Sequence, residues 1–354
     1  MSDPTPTFPV LAHDQPYDRA PQEVWMIERL RTRWWLYILF FLLTLLSTTI
    51  VGAGLEFNYL HHQPMFSLAD DVEVSVFPIE WALTRPANLL LGVPFALTLM
   101  FILFSHEMGH YLYARHYRVY ATPPFFVPFP SLIGTLGAFI RIKSPIPSRA
   151  ALFDIGIAGP IAGFIPACIA LVVGLSMTRP IPTPKSPYIE LGLPVIFQLA
   201  AYAMKLAPLS SLSLHPIAIA AWVGMFATSL NLLPGGQLDG GHIVFSISPR
   251  LHWWTSVLTV TALIPLGRYL WHGWLLWAVM LAVTWRHPNV PRYPSVSGNR
   301  RWVAAFGLLM LVLTFTRVPL TQHPDRPFWP DFRDSVQSIG HDLRDEVRHV
   351  LHKR

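Results

Sequence analysis

The chain has few cysteines and few charged residues. Among its 354 residues there is one cysteine, Cys168, and 13% are charged, whereas 52% are hydrophobic. A single cysteine excludes an intrachain disulfide and a metal site built from several thiolates. A soluble domain carries roughly 25% charged residues. The composition therefore indicates a polytopic membrane protein, in which Cys168 is expected to be a small core residue.

The sequence also lacks a contiguous basic patch and a signal-peptide cleavage site. Its net charge of +6 comes from basic residues that flank apolar runs, so no nucleic-acid partner is expected. No small-residue cleavage site follows the first apolar run, which predicts an uncleaved signal anchor. We expect the chain to be integral to the lipid bilayer, with residues 1–33 as a cytoplasmic N-terminal tail.

Apolar segments long enough to cross a bilayer predict an all-α polytopic membrane protein with about seven transmembrane helices, within a range of six to eight. Pro265, Gly267 and Gly273 leave open whether residues 253–285 form two short spans or one kinked span. The transmembrane domain is predicted at 34–317 and an amphipathic tail at 318–354. The segments are 34–54, 88–114, 150–177, 215–233, 253–266, 269–285 and 302–317, and the apolar stripe of the tail is Val336, Ile339, Leu343, Val347 and Val350.

Lysine and arginine are concentrated in alternate loops between the predicted spans, which places them on one side of the membrane. By the positive-inside rule, the N-terminus is cytoplasmic and the second span runs inward. Its polar residues then lie near the cytoplasmic side of what is predicted to be a bacterial plasma membrane. The basic residues that set this orientation are Arg29, Arg31 and Arg33, then Arg115, Arg118, Arg141, Lys143 and Arg149, and then Arg286, Arg292, Arg300 and Arg301.

The second span carries the sequence HEMGH, an H-E-x-x-H motif at His106, Glu107 and His110. Histidines four residues apart share one face of a helix and can bind one metal ion. Zinc lowers the pKa of a bound water to about 7, and a carboxylate beside it can accept the proton. We therefore expect His106 and His110 to be ligands of one Zn²⁺ per chain and Glu107 to be the general base. The alternative is a chance match with the histidines satisfied inside a helix bundle.

A third ligand is predicted in the sequence NLLPGGQLDGG, where Asp239 follows a helix break at the end of the fourth span. A plain turn would also explain the Pro, Gly and Asp residues. Asn231 lies before the break, where a turn does not require an amide, and is expected to contact substrate or a developing oxyanion. His242 is a possible outer partner of the site, or else it caps a helix or faces the cytoplasm.

In this order and placement the two motifs resemble the site-2 protease family of intramembrane zinc metalloproteases. The resemblance covers residues 88–245 and is closest to the branch of bacteria, archaea and chloroplasts that lacks a PDZ domain. It implies zinc binding by His106, His110 and Asp239, water activation by Glu107 and a substrate or transition-state role for Asn231. The implied reaction is hydrolysis of peptide bonds within or next to transmembrane segments of a membrane-protein substrate.

The segment after the zinc helix is rich in proline and cannot be an ordinary span. Its sequence GTLGAFIRI predicts a short membrane-associated strand or a re-entrant loop. An edge strand there could pair with an unwound substrate helix, which makes Gly134, Gly137 and Phe139 candidate substrate-binding residues. Gly159 and Gly163, at G-x-x-x-G spacing, predict close packing of the next helix against the zinc helix.

Several alternatives stay open from the sequence. A metal-ion or proton transporter would use the same histidines and aspartate, although no internal repeat supports it. An inactive protein that binds transmembrane helices is a further class, as is a zinc protease whose third ligand is Glu190 or Glu346. Neither the substrate's identity nor the oligomeric state follows from the sequence.

Overall fold

The computed structural model describes residues 33–67, 74, 77–181, 187–294 and 296–323. The chain divides into two units, Met1–Leu36 and Tyr37–Arg354. Of the first unit only residues 33–36 are described, and every contact discussed below lies within the second. The amphipathic stripe predicted from Val336 onward and most of the predicted N-terminal tail lie outside the described residues.

The described chain is mostly helical. Three helical segments are long and apolar enough to cross a membrane, namely Trp34–Leu60, Pro86–His116 and Arg149–Ser176, and two shorter helices are also apolar. Each of the seven predicted segments contains a helix, but the number of membrane crossings stays a prediction. In chain order the α-helices are α1 Trp34–Leu60, α2 Ile79–Thr84, α3 Leu89–His116, α4 Arg149–Ser176, α5 Val195–Ala203, α6 Pro216–Asn231, α7 Asp239–Ile247, α8 Pro249–Tyr269, α9 Gly273–Val283 and α10 Arg300–Thr314.

Residues 253–285 form two helices rather than one kinked helix. Helix α8 continues past Pro265 and ends at Tyr269, and α9 begins at Gly273. Gly267 allows the pair to pack closely, because a Cβ there would lie 2.6 Å from Leu275 Cγ. The prolines and glycines therefore mark a tight turn between two packed helices.

Helices α3, α4 and α6 form the centre of the fold. Gly109 of α3 lies against the Ala158 carbonyl of α4, where a side chain would clash. Gly224 of α6 likewise leaves room for Ile102 of α3, since a Cβ there would lie 2.5 Å from the isoleucine Cγ2. Small residues let helix backbones approach closely where lipid gives no hydrophobic drive between helices. These contacts bring α3, α4 and α6, which carry most of the candidate site, side by side.

A β-hairpin follows α3. Strand β2, Phe125–Pro128, pairs antiparallel with β3, Thr135–Phe139, with an irregular register near Pro128. The hairpin turn is fastened to α1, because Ser47 Oγ donates a 2.6 Å hydrogen bond to the carbonyl of Gly134. The structure thus has a strand within the GTLGAFIRI sequence, while its association with the membrane stays a prediction.

Two small sheets were not predicted from the sequence. One has the strand order β1-β5-β7, and the other pairs β4 with β6, all antiparallel. Strand β7 lies at the start of the predicted C-terminal tail, so that part of the tail packs with the folded chain. Short strands made of common loop residues carry no periodic signal. The strands are β1 Phe66–Ser67, β4 Arg179–Pro180, β5 Tyr188–Leu191, β6 Leu212–Ser213 and β7 Leu320–His323.

Candidate metal centre

His106 and His110 lie one turn apart on α3 and are both buried. Their Nε2 atoms are 3.2 Å apart. Nδ1 of His110 lies 2.8 Å from the carbonyl oxygen of Ile155. Because a carbonyl oxygen only accepts, Nδ1 carries the hydrogen and the neutral ring keeps a lone pair on Nε2. Helix α4 therefore fixes which nitrogen of His110 faces the centre.

Asp239 is the first residue of α7 and meets the two histidines from the opposite side. Its Oδ2 lies 3.3 Å from Nε2 of His106 and 3.3 Å from Nε2 of His110. The three atoms lie within 4.8 Å of one another. The expected convergence of these three residues is thus present in the fold.

The chemistry of these three groups fits a cation. Asp239 Oδ2 is buried and receives no hydrogen bond from any described residue. It faces Nε2 of His110, so two acceptor atoms oppose each other when that ring is neutral. Such an arrangement is repulsive unless a positive charge lies between the acceptors. Two imidazoles and one carboxylate, with a fourth position left open, are a donor set of catalytic zinc sites.

Glu107 lies beside the metal centre without belonging to the three-residue cluster. It is buried on α3 and lines a cavity of about 240 Å³ together with the two histidines and Asp239. The backbone amide of Ile140, which directly follows β3, faces its carboxylate. Glu107 therefore lies close to both the metal centre and the hairpin.

Asn231 is the last residue of α6 and lines the same cavity. Its Nδ2 lies 3.3 Å from Nε2 of His106. A side-chain amide at this position can donate a hydrogen bond to an oxygen held at the centre. The structure brings Asn231 into the site more than a hundred residues from the histidines in sequence.

Two buried polar residues that the sequence analysis did not single out hold the turn before Asp239. Gly236 has a left-handed backbone, with φ of 58°. Its N–H donates to Ser256 Oγ at 3.2 Å, and its carbonyl oxygen accepts from His252 Nε2 at 2.8 Å. Both partners lie on α8 and are buried. The sequence signal that could have identified His252 and Ser256 is their spacing, because they are polar residues one turn apart in an apolar helix.

Gly159 and Gly163 of α4 make room for the two imidazoles. A Cβ at Gly159 would overlap the His110 ring, and a Cβ at Gly163 would lie 2.9 Å from His106 Cβ. The predicted packing of these glycines against the zinc helix is confirmed. The structure adds that each glycine faces the side chain of one predicted metal ligand.

The three candidate substrate-binding residues occupy different places on the hairpin. Phe139 is half-exposed at the end of β3 and lines the site cavity. Gly137 has open space where a side chain would be, with φ of 103°, and Gly134 packs against Ser47 of α1. Phe139 is therefore the one of the three that lines this cavity, and substrate contact by all three stays a prediction.

The remaining sequence candidates lie around or away from the centre. His242 lines the cavity and hydrogen-bonds His287 of a following loop. Glu190 pairs with His323 in the β5–β7 sheet, so it is not part of the metal cluster. Glu346 lies outside the described residues. Among the residues that the structure describes, Asp239 is the third member of the cluster.

Comparison with known proteins identifies the region that contains the site. Residues 94–256 match the model of Peptidase family M50. The chain is 29% identical over 318 residues to "Probable zinc metalloprotease EGY1, chloroplastic" of Arabidopsis thaliana, a match that covers 86% of this chain and 56% of the relative. It is 31% identical over 235 residues to "Probable zinc metalloprotease EGY2, chloroplastic" of Arabidopsis thaliana, which covers 63% of this chain and 41% of the relative.

A solved structure, the site-2 protease from Methanocaldococcus jannaschii, matches with a TM-score of 0.33 and 16% identity, covering 62% of this chain and 88% of that one. The chain spans about half the length of the curated relatives above. Those relatives are chloroplast proteins by name, so they do not single out the bacterial membrane that the sequence analysis expected. Residues 94–256 of this chain are thus similar to Peptidase family M50, in agreement with the family resemblance expected from the two motifs.

Proposed function

We propose that this protein is an intramembrane zinc metalloprotease that hydrolyses peptide bonds within or next to transmembrane segments of other proteins. The observation that carries the proposal is the meeting of His106, His110 and Asp239 beside Glu107 in one cavity. The family of the domain supports the same activity. A transporter that uses the same residues is not supported by these comparisons.

His106, His110 and Asp239 would hold the zinc ion. When bound, zinc supplies a Lewis acid that makes water more acidic and polarises the carbonyl of the bond to be cleaved. Glu107 accepts the proton of the attacking water and later gives it to the nitrogen of the leaving amine. Burial of the Glu107 carboxylate limits competing hydration and keeps it directed at the cavity.

Asn231 and the hairpin orient the substrate in this proposal. The amide of Asn231 donates a hydrogen bond to the oxygen that gains negative charge during attack. The free edge of β3 binds the peptide as an extended strand, with Phe139 next to the cavity. Main-chain pairing of this kind requires a locally unwound substrate helix, because helical N–H and C=O groups are already paired.

The substrate class is a membrane protein with a single accessible transmembrane segment. We further propose that the end of α3 that carries the histidines faces the cytoplasm, which the arginines that follow α3 support. A bacterial plasma membrane fits this charge distribution. The site would then release its soluble product into the cytoplasm, on the side of the membrane that carries the basic loops.

The decisive experiment is Glu107→Gln in the protein reconstituted into nanodiscs. The probe is a synthetic single-span helix of leucine and alanine with an Asn-Pro-Gly interruption near one end. We expect loss of cleavage by at least about 100-fold, the lower range of general acid–base contributions. Zinc per chain, measured by mass spectrometry of metals, should be unchanged. Cleavage at the wild-type rate by this variant would contradict the proposal.

A further inference from the structure

His242 and His287 form a hydrogen-bonded pair at the edge of the site cavity. Nδ1 of His242 lies 2.7 Å from Nε2 of His287. His242 lies on α7 one turn beyond Asp239 and lines the cavity, whereas His287 lies in the loop after α9. The reaction described above uses neither imidazole, so the pair needs its own explanation.

The hydrogen bonds of this pair define where its hydrogens are. Nδ1 of His287 lies 2.7 Å from the carbonyl oxygen of Pro288, so Nδ1 carries a hydrogen. Burial lowers the pKa of His287, which favours a neutral ring with a lone pair on Nε2. His242 must then donate from Nδ1. Its own Nε2 therefore carries a lone pair.

Both rings are held in place by packing. The His287 ring stacks on Phe245, with ring centroids 3.9 Å apart and planes inclined by 15°. On the other side, Gly156 of α4 leaves space for His242, since a Cβ there would lie 3.2 Å from His242 Cβ. Nε2 of His242 has no hydrogen-bond donor among the described residues. An oriented acceptor is thus available on a residue that lines the cavity.

An extended peptide presents N–H groups along both of its edges. If β3 pairs with one edge, N–H groups on the other edge face the site cavity. An unpaired N–H there costs free energy comparable to a lost hydrogen bond. A neutral imidazole nitrogen is a suitable acceptor for one such group.

We propose that His242 binds a backbone N–H of the substrate through Nε2, and that His287 is a positioning residue that fixes this tautomer. The inference rests on the proposed proteolytic function and extends it to a third imidazole of the site. The ligand is an unwound peptide segment rather than the metal, because His242 is not part of the three-residue cluster.

The first test reads the tautomers directly, without cleavage. Protein labelled with nitrogen-15 in histidine, in nanodiscs and loaded with zinc, is studied by long-range proton–nitrogen NMR. We expect hydrogen on Nδ1 of both His242 and His287. His287→Ala should allow His242 to populate the other tautomer. A wild-type protein with hydrogen on Nε2 of His242 would overturn the inference.

The second test measures kinetics with the same single-span probe. We expect His242→Ala to lower kcat/KM by about 10- to 100-fold, as removal of an orienting partner typically does, with zinc per chain unchanged. His287→Ala should lower kcat/KM less, and adding it to His242→Ala should have no further effect. His272→Ala, at an exposed histidine before α9, is the matched control and should behave as wild type.

Four outcomes of these measurements would overturn the inference. Loss of zinc in His242→Ala would make His242 a metal ligand. Multiplying effects of the two substitutions would show that His287 does not act through His242. Absence of cleavage by the wild-type protein would overturn the proposed function together with this role, whereas normal wild-type cleavage with an unaffected His242→Ala would overturn this role alone.

Discussion

Two buried clusters of histidine and carboxylate lie at opposite ends of helix α6. At its C-terminal end, Asn231 joins the cluster of His106, His110 and Asp239. At its N-terminal end, His215 Nε2 lies 3.6 Å from Glu56 Oε2. A helix of 16 residues is roughly 24 Å long, so the two clusters are independent. By residue type alone they look alike.

The position of one hydrogen distinguishes the two clusters. His215 Nδ1 accepts a hydrogen bond from the N–H of Ile217 at 3.2 Å and caps α6, so in the neutral ring the hydrogen is on Nε2, directed at Glu56. His110 has the opposite tautomer and directs a lone pair at Asp239. In the first arrangement Arg179 lies near the carboxylate and supplies a positive charge, so no additional group is needed. The second is favourable when a positive charge, either a metal ion or a proton on His110, lies between the acceptor atoms.

The largest expected difference between the clusters is in metal binding. Asp239→Ala removes one of three ligand atoms, and we expect zinc per chain to fall below about a tenth of the wild-type value after dialysis, with no detectable cleavage. Glu56→Ala at the other cluster should leave zinc per chain unchanged. Both values are measured by mass spectrometry of metals on detergent-purified protein. Equal zinc loss in both variants would contradict this distinction.

The sequence was sufficient to predict the metal centre because its residues carry strong local signals. H-E-x-x-H places two imidazoles on one helical face, and a proline–glycine break before Asp239 marks a polar residue that an apolar span does not need. The helix at each predicted segment followed from apolar length alone. Each of these inferences depends only on residues that are close in sequence, within one helical turn or one predicted span.

The partners that act at a distance were not predictable in this way. The helical spacing of His252 and Ser256 marks them as unusual but does not show which turn they bind. His287 reaches the site through a tertiary contact that no local pattern specifies. The β1-β5-β7 sheet joins segments separated by more than a hundred residues, and each strand is too short to show periodicity. Tautomers likewise depend on carbonyl groups supplied by other helices.

A second prediction separates substrate stabilisation from metal binding within the same cluster. Asn231→Leu removes the amide but keeps a side chain of similar size. We expect kcat to fall by about 100- to 1,000-fold, the usual effect of losing one oxyanion donor, with zinc per chain unchanged. Single-turnover cleavage of the single-span probe measures the rate. Loss of zinc in this variant would show that Asn231 supports the metal centre instead.

A third prediction concerns the space that α4 leaves for His110. Gly159→Ala adds a methyl group that overlaps the His110 ring, so the imidazole must move. We expect about a 10- to 100-fold loss of metal affinity, measured by competition with a zinc chelator. Gly307→Ala is the matched control, because its Cβ would meet only the flexible end of Ile157, at 2.9 Å. Equal affinities in the two variants would show that α4 yields without displacing His110.

The smallest expected effect is at the N-terminal end of α6, where the cluster has a structural role. His215→Leu removes the side chain that accepts the N–H of Ile217, which should lower the free energy of unfolding by about 1–2 kcal/mol. His215→Asn should lower the free energy of unfolding by less, because the asparagine side chain can also accept a hydrogen bond at the start of the helix. Unfolding in dodecyl sulfate measures stability, while zinc per chain and cleavage serve as controls. If His215→Leu lost zinc without losing stability, the two ends of α6 would be coupled and the contrast between a capping histidine and a ligand histidine would fail.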